Sequence, residues 1–466
     1  TPAASNNSTL TLKVGSTTIT TATITAGAAT LSVTPTQAAL AATGTGKAFS
    51  IAYSGDVNVQ APNATTTLDI AKATSAVAAT LPSSFTYGTT YSVPVTVATT
   101  GTGGTPTGTV SLVSGATAVA GPVTLSSGGA TIAVTAAQAA AVNAGSAVPF
   151  AVSYSGDGNV ATGSSTAGTI NVAQSSATVT PTLPTSVAYG AAFSVPVMVA
   201  PAGGGTPTGT VTLLSGSATL GSASLAAGAA TISVAASDSA KLAVGSNPLT
   251  VSYSGDANYP AATSIAGTTT VGTASSAVTS VTWSKSPTYG KTFTAKVTVT
   301  SPGGAPSGTV SITNGGAVVA TGTVTAGSAT ITVKATALKP GKHTLSVIYS
   351  GSSTISTSTT STSITVAKAK PTVTGKLKAT KVKKTRAATI TATIKVTGFN
   401  PTGAVKVLDG KKVLKTVSLK AAGKGKIAIK LPKITKVGTH KLTISYLGSS
   451  LTLAVKSKTV NLKVTK

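Results

Sequence analysis

Residues 193–199 read FSVPVMV, with Phe193, Val195, Val197 and Val199 on one face and Ser194, Pro196 and Met198 on the other. The matching stretch at 293–299, FTAKVTV, has Lys296 where Pro196 stands, so that face points outward. Period-two alternation with one wet face predicts an antiparallel sheet. Proline on the wet face predicts an edge strand or a bulge. Further alternating runs follow at 209–216, 230–236 and 249–255, separated by Gly, Pro, Asn and Ser clusters. An Ala-rich patch precedes the last run of each such set (TQAALAA, TAAQAAA, SDSAKLA), and it predicts one helical turn bridging two sheets.

The pattern repeats. YSGD-type turns begin at Tyr53, Tyr154 and Tyr253, with faded forms at Tyr349 (YSGSS) and Tyr446 (YLGSS). A Tyr-Gly marker stands at Tyr87, Tyr189 and Tyr289. A third marker reads TPTGTV at Thr105 and Thr206, APSGTV at Ala305 and NPTGAV at Asn400. Three markers in one order, with a period of about 100 residues, describe small independent domains rather than solenoid units. About seven short strands per period predict an all-β fold: tandem immunoglobulin-like β-sandwiches arranged as an elongated array.

The motifs PTGTV (207–211), GAATISV (228–234) and YSGDANY (253–259) resemble those of tandem bacterial Ig-like domains of surface proteins. The resemblance spans nearly the whole chain. It implies the sandwich fold and a role as spacer or stalk, with occasional binding copies. The expected domains are a partial one at 1–72 and complete ones at 73–173, 174–273, 274–368 and 369–466. In the partial copy TPAASNNSTLTL aligns with TPTGTVSL, and the segment that would supply the first two strands is missing. A half-domain exposes a core face and an unpaired edge. Either the chain is a piece of a longer array, or a neighbouring chain completes the domain by strand addition. The chain offers no spare strand, because VNLKVTK (460–466) is needed as the last strand of its own copy.

Charge divides the chain. Residues 1–280 hold four Lys, no Arg and five Asp, whereas residues 281–466 hold 30 basic residues against Asp409 alone. Lys381, Lys383, Lys384, Arg386, Lys411, Lys412, Lys415, Lys424, Lys426, Lys430, Lys433 and Lys436 are candidates for binding an anionic polymer. In KIAIKL the lysines alternate outward. Lysine far outnumbers arginine, which suits diffuse attraction rather than bidentate phosphate recognition. Phe399 and Tyr446 are the only aromatic residues there, so base stacking on nucleic acid is poorly supported. Acidic wall polymer is the first expectation, solubility without a dedicated partner the second.

The remaining chemistry is thin. The absence of Cys excludes disulfides and thiol nucleophiles. No apolar run approaches the roughly 18 residues that cross a bilayer, and neither a signal segment nor a hydrophobic tail is seen. Asp56, Asp157, Asp256 and Asn258 are candidate calcium ligands. Each loop offers one carboxylate, however, and calcium takes six to eight oxygens. A structural turn fits better, with Gly255 at positive φ and Asp256 and Asn258 in Asx-type turns; a sugar-binding tip is a third reading. His343 and His440 hold equivalent places and are expected as surface residues at strand starts. Trp283 stands where Leu81 and Leu183 stand in earlier copies, which predicts core or interdomain packing. Paired carboxylates are absent apart from Asp56 with Asp69, and nothing marks a nucleophile near Asp409 and His440, so no enzyme and no cofactor are expected. Residues 73–240 contain no Lys, which excludes a Lys–Asn isopeptide brace in the second copy. The expectation is an extracellular stalk or adhesin segment at the surface or wall of a bacterium. The alternative is a subunit of a fibre or surface layer.

Overall fold

The computed structural model describes residues 7–57, 59–60, 62–101, 104–284 and 287–466. The opening TPAASN, aligned above with a strand start, lies outside them. The chain divides into two compact units. One comprises Thr1–Leu183, Ser194–Ser233 and Leu249–Gly267, the other Pro184–Phe193, Val234–Pro248 and Thr268–Lys466.

In the first unit the chain opens with β1 (Thr9–Val14), β2 (Thr17–Thr23), α1 (Pro35–Ala39), β3 (Gly44–Tyr53) and β4 (Ala64–Ile70). These form a single sheet in the order β2-β1-β3-β4. Its core is small: Ile19, Ala41 and Phe49 are buried together, whereas every residue of β1 is half-buried and Val33, Leu40 and Leu68 are exposed.

The next period builds a whole sandwich from β5 (Thr74–Ala79), β6 (Ser84–Thr86), β7 (Tyr91–Thr100), β8 (Thr109–Ser114), β9 (Thr117–Thr124), β10 (Gly129–Val134), α2 (Ala136–Ala139), β11 (Gly145–Tyr154), β12 (Gly163–Ser164) and β13 (Gly168–Ala173). One sheet runs β10-β7-β5; the other runs β6-β13-β11-β8-β9, with β12 paired to β11. Alternate residues meet between the sheets: Val93, Val95, Val97, Ile132 and Val134 from one, Val110, Leu112, Phe150, Val152, Ile170 and Val172 from the other, all buried. The Ala-rich patches do form one helical turn. Thr34 and Gln37, and Thr135 and Gln138, close capping boxes at α1 and α2.

The outward proline behaves differently from expectation. Pro94 lies in β7, the middle strand, not at an edge, and Pro196 does the same in Phe193–Pro201. The Pro94 carbonyl accepts from the Thr80 N–H just beyond the end of β5, and the Pro196 carbonyl from the Thr182 N–H just beyond Ala177–Pro181. In an antiparallel strand a residue's nitrogen and carbonyl point the same way. The ring nitrogen on that side has no hydrogen to return, so the ladder with this neighbour stops one residue short of each proline; where Lys296 stands instead, it runs on through Thr282↔Lys296 to Trp283↔Ala295.

In the second unit, residues 277–366 form a seven-stranded sandwich. Ala277–Trp283, Phe293–Thr300 and Ser328–Val333 make one sheet; Gly308–Asn314, Ala317–Val324, Gly341–Tyr349 and Ser358–Val366 make the other. The last period repeats the β5–β13 plan. Thr372–Leu377, Thr389–Lys395 and Lys426–Lys430 form its smaller sheet, and the larger runs from Lys381–Lys383 through Val460–Thr465, Gly438–Tyr446 and Gly403–Asp409 to Lys412–Leu419. Strand number per period thus varies with whether the short strands corresponding to β6 and β12 form.

Candidate functional site

The three sequence markers converge at the ends of the sandwiches. In the second period the PTG turn leading into β8 packs against the YSGD turn leaving β11. Gly108 has φ +89°, and a Cβ there would lie 2.4 Å from the Gly156 carbonyl oxygen. The same conflict recurs at Gly209 with Gly255 (2.7 Å), Gly308 with Gly351 (2.6 Å) and Gly403 with Gly448 (2.5 Å). Two backbones touch there, and only glycine leaves the room.

Asp157 clamps that contact. One carboxylate oxygen accepts from the N–H groups of Asn159 (2.8 Å) and Val160 (2.7 Å). The other accepts from the Thr107 N–H (2.7 Å) and the Thr107 hydroxyl (3.0 Å). Burial works against the charge, but the N–H groups of Thr107, Asn159 and Val160 and the Thr107 hydroxyl outweigh it and hold the carboxyl at about 2. Asp256 repeats the arrangement on Asn258, Tyr259 and Thr208, and its pKa is lowered in the same way. Asp56 accepts from Val59 N–H and the Tyr53 hydroxyl. Where the Asp fades, serine does part of the work: Ser352 accepts from Ile355 N–H (3.2 Å) and Ser449 from Leu451 N–H (3.2 Å). The tyrosine rings are buried at Tyr154, Tyr253, Tyr349 and Tyr446. The Tyr154, Tyr349 and Tyr446 hydroxyls donate to the carbonyls of Thr107, Ser307 and Thr402.

This geometry supports the turn over the calcium loop. The carboxylate lone pairs at Asp157 and Asp256 already point at donors, and a cation there would face the positive ends of those N–H dipoles. Among the described residues no three His, Cys, Asp or Glu gather into a metal-sized cluster. Asn258 does something the sequence did not suggest. Its side-chain oxygen accepts from the Ala144 N–H (2.9 Å), and its amide nitrogen donates to the Asn143 side chain (3.2 Å), both in the preceding period.

Asn258 belongs to a junction that recurs. Ala73 N–H donates to the Asn159 carbonyl and the Ala161 N–H returns to Ala73. Ala274 pairs likewise with Thr354 and Ser356, Ala369 with Leu451 and Leu453, and Ser175 N–H donates to Asn258. Linker side chains reach the same turns: Lys72 the Asp157 carbonyl, Gln174 those of Asp256 and Ala257 (both 3.1 Å), Ser276 that of Ser356 (2.7 Å) and Lys368 that of Ser449 (3.0 Å). The Tyr-Gly marker supplies the other side of the junction. Gly204 N–H donates to the Gly88 carbonyl (2.8 Å), and a Cβ on Gly88 would lie 2.4 Å from the Gly204 backbone. Tyr87 meets Tyr259 edge to face at 5.6 Å, and Tyr289 meets Phe399 at 4.7 Å. A Cβ on Gly290 would strike the Thr397 carbonyl at 2.2 Å.

The other singled-out residues fall as follows. Trp283 is half-buried against its own sandwich, 5.9 Å from the Phe293 ring, with its indole N–H 3.4 Å from the Thr362 hydroxyl, so it packs within the domain. His440 is buried rather than a surface residue. Its Nδ1 bonds to Asp409 and its Nε2 to the Lys436 carbonyl (2.8 Å). Both nitrogens face acceptors, which favours the doubly protonated ring; the Asp409 hydrogen bond, then the Lys436 carbonyl, raises its pKa against the effect of burial. At His343 an Asn314 amide (3.3 Å) replaces the carboxylate.

All twelve candidate polymer-binding residues are exposed. They do not share one face. Lys381 and Lys383 lie on a short edge strand of the larger sheet, with Lys384 and Arg386 following. Lys412 and Lys415 lie on that sheet's opposite edge strand, with Lys411 in the turn before it. Lys426 and Lys430 point outward from the smaller sheet, with Lys424 just before it, and Lys433 and Lys436 sit in the loop beyond. The outward Lys376, Lys395, Lys406, Lys441 and Lys463, on other strands, were missed because the sequence reading followed local runs of lysine rather than cross-strand neighbours.

The bacterial Ig-like domain (group 3) model matches residues 179–272, 275–367 and 376–465. The chain belongs to that family. Among solved structures, the bacterial Ig-like repeats are similar to a tetra-tandem repeat in the extending region of a large adhesion protein (15% identity, 84% of this chain and 99% of that one, TM-score 0.38). They are also similar to part of a 1.5-MDa bacterial ice-binding adhesin described for host cell surface retention (18%, 62% and 99%, 0.24) and to the ICAM-5 D1–D4 ectodomain (13%, 84% and 100%, 0.32). No curated protein matches the chain. No helix among the described residues is long and apolar enough to cross a membrane.

Proposed function

We propose that these bacterial Ig-like repeats form a non-enzymatic stalk or adhesin-type segment of a bacterial surface protein, which spaces a distal part from the cell. The observation that carries this reading is the junction. Gly204 N–H donates to the Gly88 carbonyl and Asn258 accepts from Ala144 N–H across the second and third periods, and Lys368 reaches the Ser449 carbonyl and Tyr289 packs on Phe399 across the fourth and fifth. Such joints suit a spacer, whose work is to hold neighbouring domains at fixed angles. The last period, with Asp409 as its sole carboxylate and already engaged by His440, would contact acidic wall polymer through its lysines. Cosedimentation of the chain with purified anionic wall polymer tests this half. Binding should be firm at low salt and fall steeply as salt rises; no binding at low salt would remove it.

The first sheet favours a second reading, a fibre or surface-layer subunit. One face of it presents an apolar concavity of about 430 Å³ lined by Leu12, Ile19, Phe49, Ile51, Leu68 and Ile70. A strand from a neighbouring copy would cover that face. Sedimentation velocity separates the two readings: concentration-dependent polymers favour the subunit, a monomer the stalk.

A further inference from the structure

We infer that Lys381, Lys441 and Lys463, on the outer face of the larger sheet of the last period, form the site that grips a linear polyanion. This rests on the wall-polymer reading above and locates it. Lys381 on the edge strand stands directly opposite Lys463 in a parallel pairing. Lys463 stands opposite Thr439 on its other side, and Lys441 stands opposite Asn461, one diagonal step from Lys463. All three lysines are exposed. Neighbouring strands are roughly 4.8 Å apart and diagonal neighbours about 7–8 Å, so the three lysines share one patch of that face.

Like charges directly opposite one another destabilise a sheet. Earlier periods avoid the problem at the same register: Ser84 stands opposite Asn171, and Ser186 opposite Thr270. The smaller sheet of the last period avoids it too. There Lys376 faces Thr391, Lys395 faces Thr372, Lys426 faces Thr393 and Lys430 faces Thr389. Protection of an exposed edge accounts for lysine on the edge strand. It does not account for Lys463, because Val460–Thr465 lies between two other strands. Asp409, the only acidic side chain in residues 369–466, is bound to His440. An anion spanning Lys381 and Lys463 would offset their repulsion. Lysines with polar Thr439 and Asn461 beside them suit repeated point charges along a polymer rather than one bidentate phosphate.

The test uses two double variants of the chain with equal loss of charge, Lys381→Gln with Lys463→Gln, and Lys376→Gln with Lys395→Gln. Binding of sodium polyphosphate and of polygalacturonate is measured at low salt, one polymer bearing phosphate and the other carboxylate. Replacing Lys381 and Lys463 should weaken whichever polymer the parent binds by about tenfold, and should raise the melting temperature of the last period without polymer. Replacing Lys376 and Lys395 should cost less than about threefold and leave the melting temperature unchanged. Equal weakening by both variants would overturn the site and leave diffuse charge as the cause. A parent chain that binds neither polymer would instead overturn the wall-polymer reading itself.

Discussion

Replacing Asp157 by Asn tests the clasp between the PTG and YSGD turns. The amide keeps one acceptor oxygen but turns an NH2 group toward either Asn159 and Val160 or Thr107, all of which offer N–H donors. The carboxyl is held at about 2, against an ordinary value of 3.8. A shift of that size corresponds to at most roughly 2.5 kcal/mol. Asp157 is only half-buried, so solvent screening reduces the expected contribution to about 1–2 kcal/mol. Its folded-state pKa is depressed, so the contribution is present in full above the ordinary carboxylate value and is lost as pH falls from about 4 through about 2. Native-state hydrogen exchange on the chain reads this locally, at the amides of Thr107, Asn159 and Val160. In the variant these amides should exchange roughly five- to thirtyfold faster at neutral pH, and the loss of protection expected in the parent as pH falls from about 4 to about 2 should be absent. Unchanged protection, or protection that rises on adding calcium in the parent alone, would refute the clasp and return the loop to the ligand reading.

Other perturbations probe the same account. Gly88→Ala should loosen the joint with the following domain, because its Cβ would press on the Gly204 backbone; increased exchange at Gly204 N–H with normal exchange in the core strands is the expected result. Tyr446→Phe removes hydrogen bonds to the Thr402 carbonyl and the Thr452 hydroxyl, both 2.6 Å, and should destabilise the last period by about 1–2 kcal/mol in denaturant unfolding. The raised pKa of His440 implies stability that is complete below its ordinary value of 6.5 and is lost as pH rises through the higher folded-state value. Asp409→Asn should weaken that pH dependence, since the Asp409 hydrogen bond is its largest cause and the Lys436 carbonyl remains.

Much of the fold was legible in the chain. Alternation at Val195, Val197 and Val199 reports burial directly, and those residues are buried. The regular return of Tyr, Gly and PTG marked separate sandwiches because those residues serve backbone contacts that each copy must rebuild. Pro94 and Pro196 misled because a missing donor can end the pairing with one neighbour and still leave the strand in the middle of its sheet. His440 misled for a different reason: its strand position was readable, but the carboxylate of Asp409 reaches it from another strand. The junctions were least legible. Asn258 and Gly88 bond to residues more than a hundred positions away, and no local pattern signals such a partner. The near-constant separation of the markers signals only the clasp inside each copy, where Thr107 and Asp157 lie 50 apart and Thr208 and Asp256 lie 48 apart.

Gly88 with Gly204, and Asn258 with Ala144, would lock the second and third sandwiches together. The chain has no cysteine, so spin labels can be placed at will. Thr131 and Thr231 are exposed outward positions on strands of successive domains. Pulsed electron spin resonance on a Thr131→Cys, Thr231→Cys chain should give one narrow distance distribution, which broadens when Gly88→Ala and Asn258→Ala are added. A distribution that is already broad in the parent, and unchanged by those substitutions, would contradict the account.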